Sequence, residues 1–279
     1  MEFNDLDPIG HEHEENYRPR QPFRNHRLRR GIYLVPSIFT VANMLCGYYA
    51  ILASFEGTTA SFDYAARAIG IAIIFDSFDG FIARATHTSS EFGKQFDSLA
   101  DVISFGIAPA VLAYAWGVRA AAFANASPEL HLIQLGWLAG FFFLGCCGWR
   151  LARFNIHGMG GGSRYFIGMP TPAAAGMIAA CVHGFGGPIQ DVRVSILWAI
   201  MVIVLGVLMA SQLRYYSFKN IQWGRRQTSL AVVLIVLLFG AIVWFSQITL
   251  MLIASAYTIH GIVVQIVRFV RHRIASRPA

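Results

Sequence analysis

Four aspartates stand where a hydrophobic chain would be expected to carry none. Asp76, Asp79, Asp97 and Asp101 fall inside long apolar stretches, and no other Asp or Glu lies within an expected membrane span. An ionised carboxylate at membrane depth costs roughly 2.5–3.5 kcal/mol on insertion scales. Four of them also repel one another, so a positive partner must hold them, and a pair of divalent cations is the simplest. Residues three or four apart on a helix share a face. Asp76 and Asp79 therefore form one pair, and Asp97 and Asp101 form another on the next helix. The connection is short, so the two helices are antiparallel neighbours. Both pairs then lie within about three turns of that loop, at roughly 1.5 Å rise per residue.

Oxygen ligands without a neighbouring Cys or His select magnesium, manganese or calcium over zinc. Two such ions roughly 3.5–4 Å apart clamp the attacking and leaving oxygens of a phosphoryl displacement. Gly80 and Ala83 then read as side chains left out so that a flat group can approach the helix. Arg84, about one turn further on, is placed to take a phosphate with two parallel hydrogen bonds. The plainer reading is a buried ion-pair network with Arg84 and Lys94, but two cations do not neutralise four carboxylates.

The elements that must position these groups are helices in a membrane. Of 279 residues, 56% are hydrophobic and only 13% charged. Apolar segments of about 20 residues recur along nearly the whole chain, which reads as an all-α, polytopic helical membrane protein. Spans are expected near 33–54, 65–83, 95–116, 133–152, 171–187, 194–213, 229–246 and 248–267. Basic residues set the orientation. Arginines from Arg18 to Arg30 precede the first span, and Arg84, Lys94, Arg153, Arg164, Arg214, Lys219, Arg225, Arg226, Arg268, Arg271 and Arg273 mark alternate connections. The other connections carry little beyond Arg67, Arg119 and Arg193. By the positive-inside rule both termini and the aspartates are cytoplasmic, and an even number of spans, eight, fits.

Residues 1–31 open with an acidic run and continue into arginines, which reads as a cytoplasmic disordered tail rather than a signal peptide. Its basic half suits anionic headgroups rather than nucleic acid. Cys46, Cys146, Cys147 and Cys181 have no paired spacing and read as apolar packing. The glycines from Gly158 to Gly162 read as a connection, and His87 as a solvated loop residue. Trp116 and Tyr114 read as interfacial belt.

The spacing is also a specific signature. Asp79-Gly80, two residues, Ala83-Arg84, eight residues, Gly93, three residues, Asp97, three residues, Asp101 resembles at every fixed position the motif of the CDP-alcohol phosphotransferases. That resemblance implies a six-span core within 32–220, with about two additional spans and a basic tail in 221–279. It implies that a free alcohol attacks a CDP-activated donor and CMP leaves. Asp76, Asp79 and Asp97 would be ligands of two divalent ions, Mg2+ or Mn2+. Asp101 would be a ligand and the general base. Gly80, Ala83 and Arg84 would bind the CDP donor. A homodimer is implied as well.

The segments around the motif bear on the acceptor. Val35-Pro36-Ser37 with Thr40, Asn43 and Gly47, then Ser104, Gly106 and Pro109, then Arg150 to Asn155, then Gly168 to Pro172, resemble the membrane-embedded members of that family that use L-serine and CDP-diacylglycerol. A serine carboxylate would be repelled by the aspartates, so a nearby cation is useful. Arg153, with Asn155 for the ammonium or hydroxyl, is one candidate, and headgroup anchoring explains Arg153 equally well. Anchoring is the favoured reading of Arg150. Pro170 and Pro172 read as a helix start. Two rivals stand beside this reading: a family member using glycerol phosphate, inositol phosphate or choline, and a cation transporter. Transporters bind their ions near the midplane on broken helices, often in inverted repeats, and the chain has neither feature.

Overall fold

A stripe of small and polar side chains turns the first helix inward. In the computed structural model, residues 26–86, 91–123, 130–157, 165–211, 214–216, 240–241 and 244–275 are described. Helix α1 (His26–Glu56) buries Thr40, Asn43, Gly47, Ala50 and Ser54, spaced three or four apart, and exposes Ile38, Val41, Leu45, Tyr48 and Leu52 on the opposite face. This is the pattern of a helix in lipid, which packs through small residues and hides polar groups among its neighbours.

The chain reverses at Gly57, whose φ of 72° is left-handed and suits glycine. Thr58 and Ser61 then cap one another reciprocally, each side chain accepting the other's backbone N–H at 3.0 Å. They open α2 (Thr59–Thr86), which packs along α1 through Ala50, Ala53, Ala65, Ala66 and Ala72. Helix α3 (Glu91–Ala122) is continuous but contains two π segments, Val102–Ile107 and Ala115–Arg119. Helix α4 (Leu130–His157) returns. The glycines of the connection after it lie outside the described residues, apart from their flanks.

Helix α5 (Thr171–Phe185) starts behind Pro170 with Pro172 in its first turn, as the sequence predicts. Asp191 caps α6 (Val192–Ala210), accepting the backbone N–H of Arg193 at 2.7 Å. A short antiparallel ladder, β1 (Tyr165–Ile167) with β2 (Arg214–Tyr216), ties the chain before α5 to the chain after α6. No periodicity in the sequence announces it. Helix α7 (Ser246–Ala275) packs on α5. The span expected at 229–246 lies largely outside the described residues, so seven helices are seen among those described.

Among the described residues, four helices are long and apolar enough to cross a membrane: Ile38–Glu56, Glu91–Ala122, Leu130–Ile156 and Val192–Ala210. Helix α2 is as long but carries Arg67, Asp76 and Asp79. The protein is thus an integral, polytopic helical membrane protein, as composition predicts.

At the end of the bundle far from the aspartates, His183 of α5 is held between two helices. Its Nδ1 meets Asp63 of α2, and its Nε2 lies 2.9 Å from the Ser246 hydroxyl of α7. Asp63 also pairs with Arg67 at 2.8 Å. Trp116 departs from its interfacial reading. It is 2% exposed, packs edge-on against Trp198 at 4.8 Å, and donates to the Gly186 carbonyl. Helix α6 is close enough to claim it because Gly117 leaves no side chain between them.

Candidate active site

Helices α2 and α3 bring the aspartates together as the spacing requires. One carboxylate oxygen from each of Asp76, Asp97 and Asp101 lies within 4.8 Å of the others. Asp79 stands outside that trio. It is buried and accepts a hydrogen bond from the Thr40 hydroxyl of α1. Asp101, also buried, accepts from the Asn43 side-chain amide at 3.3 Å. The Asn43 backbone carbonyl in turn receives the Ser104 hydroxyl at 2.8 Å. The inward stripe of α1 is therefore the rack on which two of the four carboxylates are oriented.

Gly47, one turn beyond Asn43, sets the distance. A Cβ there would lie 2.6 Å from the Ser104 Cα, inside any normal contact. The first π segment begins directly after Asp101 and carries Ser104 to this approach.

The electrostatics favour a bound cation. Asp97 faces the charges of Asp76 and Asp79, and Asp101 those of Asp76 and Asp97. Among the described residues the cationic side chain acting on Asp101 is Arg150, beside the hydrogen bond from Asn43. Among the described residues the carboxylates outnumber the guanidinium, which leaves negative charge that hard cations satisfy, and the clustered donors are all oxygen. Cys147 packs against Gly106 behind Asp101 and is no part of the trio.

Gly80 is half-buried on α2. Ala83 and Arg84 follow it on the same helix, with side chains outside the described residues, as is His87. Asn155 reaches α3 and is hydrogen-bonded to Ser98 at 2.9 Å, next to Asp97. Arg153 uses its fork elsewhere, donating to the carbonyls of Ala210 at 3.3 Å and Ser211 at 3.2 Å at the end of α6. Those carbonyls lie at the C-terminal end of α6, where the helix dipole favours a guanidinium.

Arg150 corrects its anchoring role. It is 9% exposed, points into the bundle, and donates to the Thr171 hydroxyl of α5 at 3.5 Å. Tyr257 of α7 stands close enough to interact with it electrostatically. The orienting contacts of Thr40 and Asn43 were not deduced from the sequence. The available signal was two polar residues three apart inside an apolar span.

Residues 33–193, more than half of the chain, match the family described as CDP-alcohol phosphatidyltransferase. The chain belongs to that family. Among its relatives is a Helicobacter pylori protein named CDP-diacylglycerol–serine O-phosphatidyltransferase, 34% identical over 83% of this chain and 91% of the relative. A Methanocaldococcus jannaschii protein of the same name is 35% identical over 68% of this chain and 78% of the relative. An archaetidylserine synthase of Methanothermobacter thermautotrophicus is 35% identical over 65% of this chain and 69% of its own length. The family match spans α1 to the start of α6 and contains all four aspartates. Helix α7 lies beyond it, yet borders Arg150.

Proposed function

We propose that this family member transfers a phosphatidyl group from CDP-diacylglycerol to L-serine, forming phosphatidylserine and CMP. The observation that carries the reading is the trio of Asp76, Asp97 and Asp101, with Asp101 held by Asn43. The names of the relatives support serine as acceptor.

The serine hydroxyl oxygen bonds to the lipid-side phosphorus of the donor. The bond from that phosphorus to the CMP oxygen breaks, and CMP leaves with the electron pair. The hydroxyl proton passes to the Asp101 carboxylate, which the Asn43 amide keeps turned toward the site. Asp76, Asp97 and Asp101, with Asp79 behind them on Thr40, would hold two divalent cations, Mg2+ or Mn2+. When bound, these supply positive charge to the diphosphate. Gly80, Ala83 and Arg84 on the last turns of α2 are the donor-binding residues of this reading. Asn155, joined to Ser98, borders the acceptor's route. Arg153 is assigned to the same side as a fixed charge, its fork engaged by α6.

The arginine-rich connections put both termini and the active site on the cytoplasmic side. The family core occupies 32–220, preceded by the 1–31 tail and followed by added spans and a basic tail in 221–279. The active form is a homodimer in a lipid bilayer.

The test is to incubate the purified protein with CDP-diacylglycerol, Mg2+ or Mn2+, and separately L-serine, glycerol phosphate, inositol phosphate or choline. Phosphatidylserine and CMP should appear together with serine, and neither after metal is stripped with EDTA. Product with a different alcohol and none with serine would overturn the acceptor. Full turnover after stripping would overturn the metal site.

A further inference from the structure

At the end of the bundle away from the aspartates, the ends of α1 and α3 enclose a cavity of about 370 Å3. Small residues, Gly57, Ala115 and Ala120, leave the space, and the phenyl rings of Phe55 and Phe123 flank it, 63% and 55% exposed. One wall is the second π segment of α3, Ala115–Arg119, a backbone irregularity often found at functional sites. Arg119 follows Asp101 on α3 by about 18 residues, roughly 27 Å at about 1.5 Å each, which is close to the hydrocarbon thickness of a bilayer. The cavity therefore opens at the headgroup level of the leaflet opposite the aspartates. Glu56 and Arg119 bring one charge of each sign to it. Among the described residues, no ion pair or side-chain hydrogen bond engages either of them.

The geometry points to a headgroup site for a zwitterionic phospholipid, one that carries a phosphodiester and an ammonium and no net charge. The Arg119 guanidinium takes the phosphate oxygens through charge-assisted hydrogen bonds. The Glu56 carboxylate takes the ammonium, beside the exposed rings of Phe55 and Phe123, whose faces also attract a cation. An anionic headgroup would satisfy Arg119 but be repelled by Glu56. The occupant is a lipid rather than a soluble zwitterion because the apolar rim continues down the bundle. Phe55, Leu52 and Tyr48 lie three or four apart on one exposed face of α1, a track for acyl chains. Bound there, the lipid bridges the ends of α1 and α3 without touching the aspartates.

The test is lipid binding to the delipidated full-length protein in detergent micelles, read by native mass spectrometry. The probes are phosphatidylethanolamine, phosphatidylcholine and phosphatidylglycerol with matched acyl chains. The first molecule of either zwitterionic lipid should bind wild type at least about fivefold more tightly than phosphatidylglycerol, the worth of one charge-assisted contact discounted for exposure. Glu56→Gln should bring that ratio close to one, by weakening the zwitterionic lipids and relieving repulsion of the anionic one. Arg119→Gln should weaken all three lipids at least about fivefold and keep the ratio. Both residues are exposed at helix ends, so a melt without lipid should match wild type. The wild-type ratio needs no variant. Equal binding of zwitterionic and anionic lipid by wild type, or an unchanged ratio in Glu56→Gln, would overturn the site. Displacement of phosphatidylethanolamine by an equal concentration of soluble glycerophosphoethanolamine would overturn the lipid as its occupant.

Discussion

Replacing Gly47 by alanine probes the contact on which the aspartate geometry depends. The added Cβ would lie 2.6 Å from the Ser104 Cα and 3.0 Å from its Cβ, whereas ordinary contacts begin near 3.4 Å. The obstructing atom is backbone, so no rotamer change relieves it and α1 must move from α3 by about 1 Å. Overpacking of this kind costs roughly 1–3 kcal/mol. The functional cost should be larger, because Asn43 sits one turn away and its bond to Asp101 is already 3.3 Å long. A shift of about 1 Å would break that bond, and misplacements of this size cost about 10²-fold in rate. The assay is CMP release in detergent micelles at saturating donor, beside a thermal melt of the same sample. Gly70→Ala and Gly145→Ala serve as controls, since nothing lies within 4 Å of a Cβ at either position. Those two should keep full activity. A Gly47→Ala enzyme with wild-type kcat and the stability of the controls would refute the idea that close approach of α1 orients Asp101.

Two further outcomes follow from the same geometry. Ala83→Leu should raise KM for the CDP donor at least tenfold with the fold intact, because the nucleotide is assigned to the face cleared by Gly80 and Ala83. Wild-type donor affinity would send the nucleotide elsewhere. Arg153→Lys loses the fork that spans the Ala210 and Ser211 carbonyls, so a melt should fall by the worth of one charged hydrogen bond, about 1.5–3 kcal/mol less some screening. Its KM for serine should change less than threefold, and a large rise confined to serine would place the acceptor carboxylate at Arg153.

The pairing of Asp76 and Asp79 against Asp97 and Asp101 was legible because it needs only helical spacing and a short connection. Which oxygens converge was not: Asp79 turns to Thr40, a contact across 39 residues of sequence that depends on how α1 packs. Arg150 was misread for a related reason. A residue near the end of an expected span reads as a headgroup anchor, and only the packing of α5 against the bundle reveals that it faces inward. Trp116 was hidden in the same way by Gly117. The start of α5 at its prolines and the apolar spans were legible because they rest on local chemistry. The β1–β2 ladder was not, since three-residue strands have no period to detect.

The two π segments of α3 make it a helix of more than one phase. Each residue of an α-helix advances the side-chain direction by about 100°, and a π turn takes up an extra residue without ending the helix. Beyond Val102–Ile107, α3 therefore presents a face that cannot be extrapolated from Asp97 and Asp101. That face carries Trp116 to Gly186, and the Gly117 and Ala113 carbonyls to the Ser195 hydroxyl and the Trp198 indole at 2.6 and 2.9 Å. The π turn between Asp101 and Trp116 then matters more than the identity of the residues in it. Closing it into regular α-helix at unchanged length would swing every downstream side chain by about 100°. The carboxylates and the packing seam are two gears on one shaft, and the π turn between them fixes their relative angle.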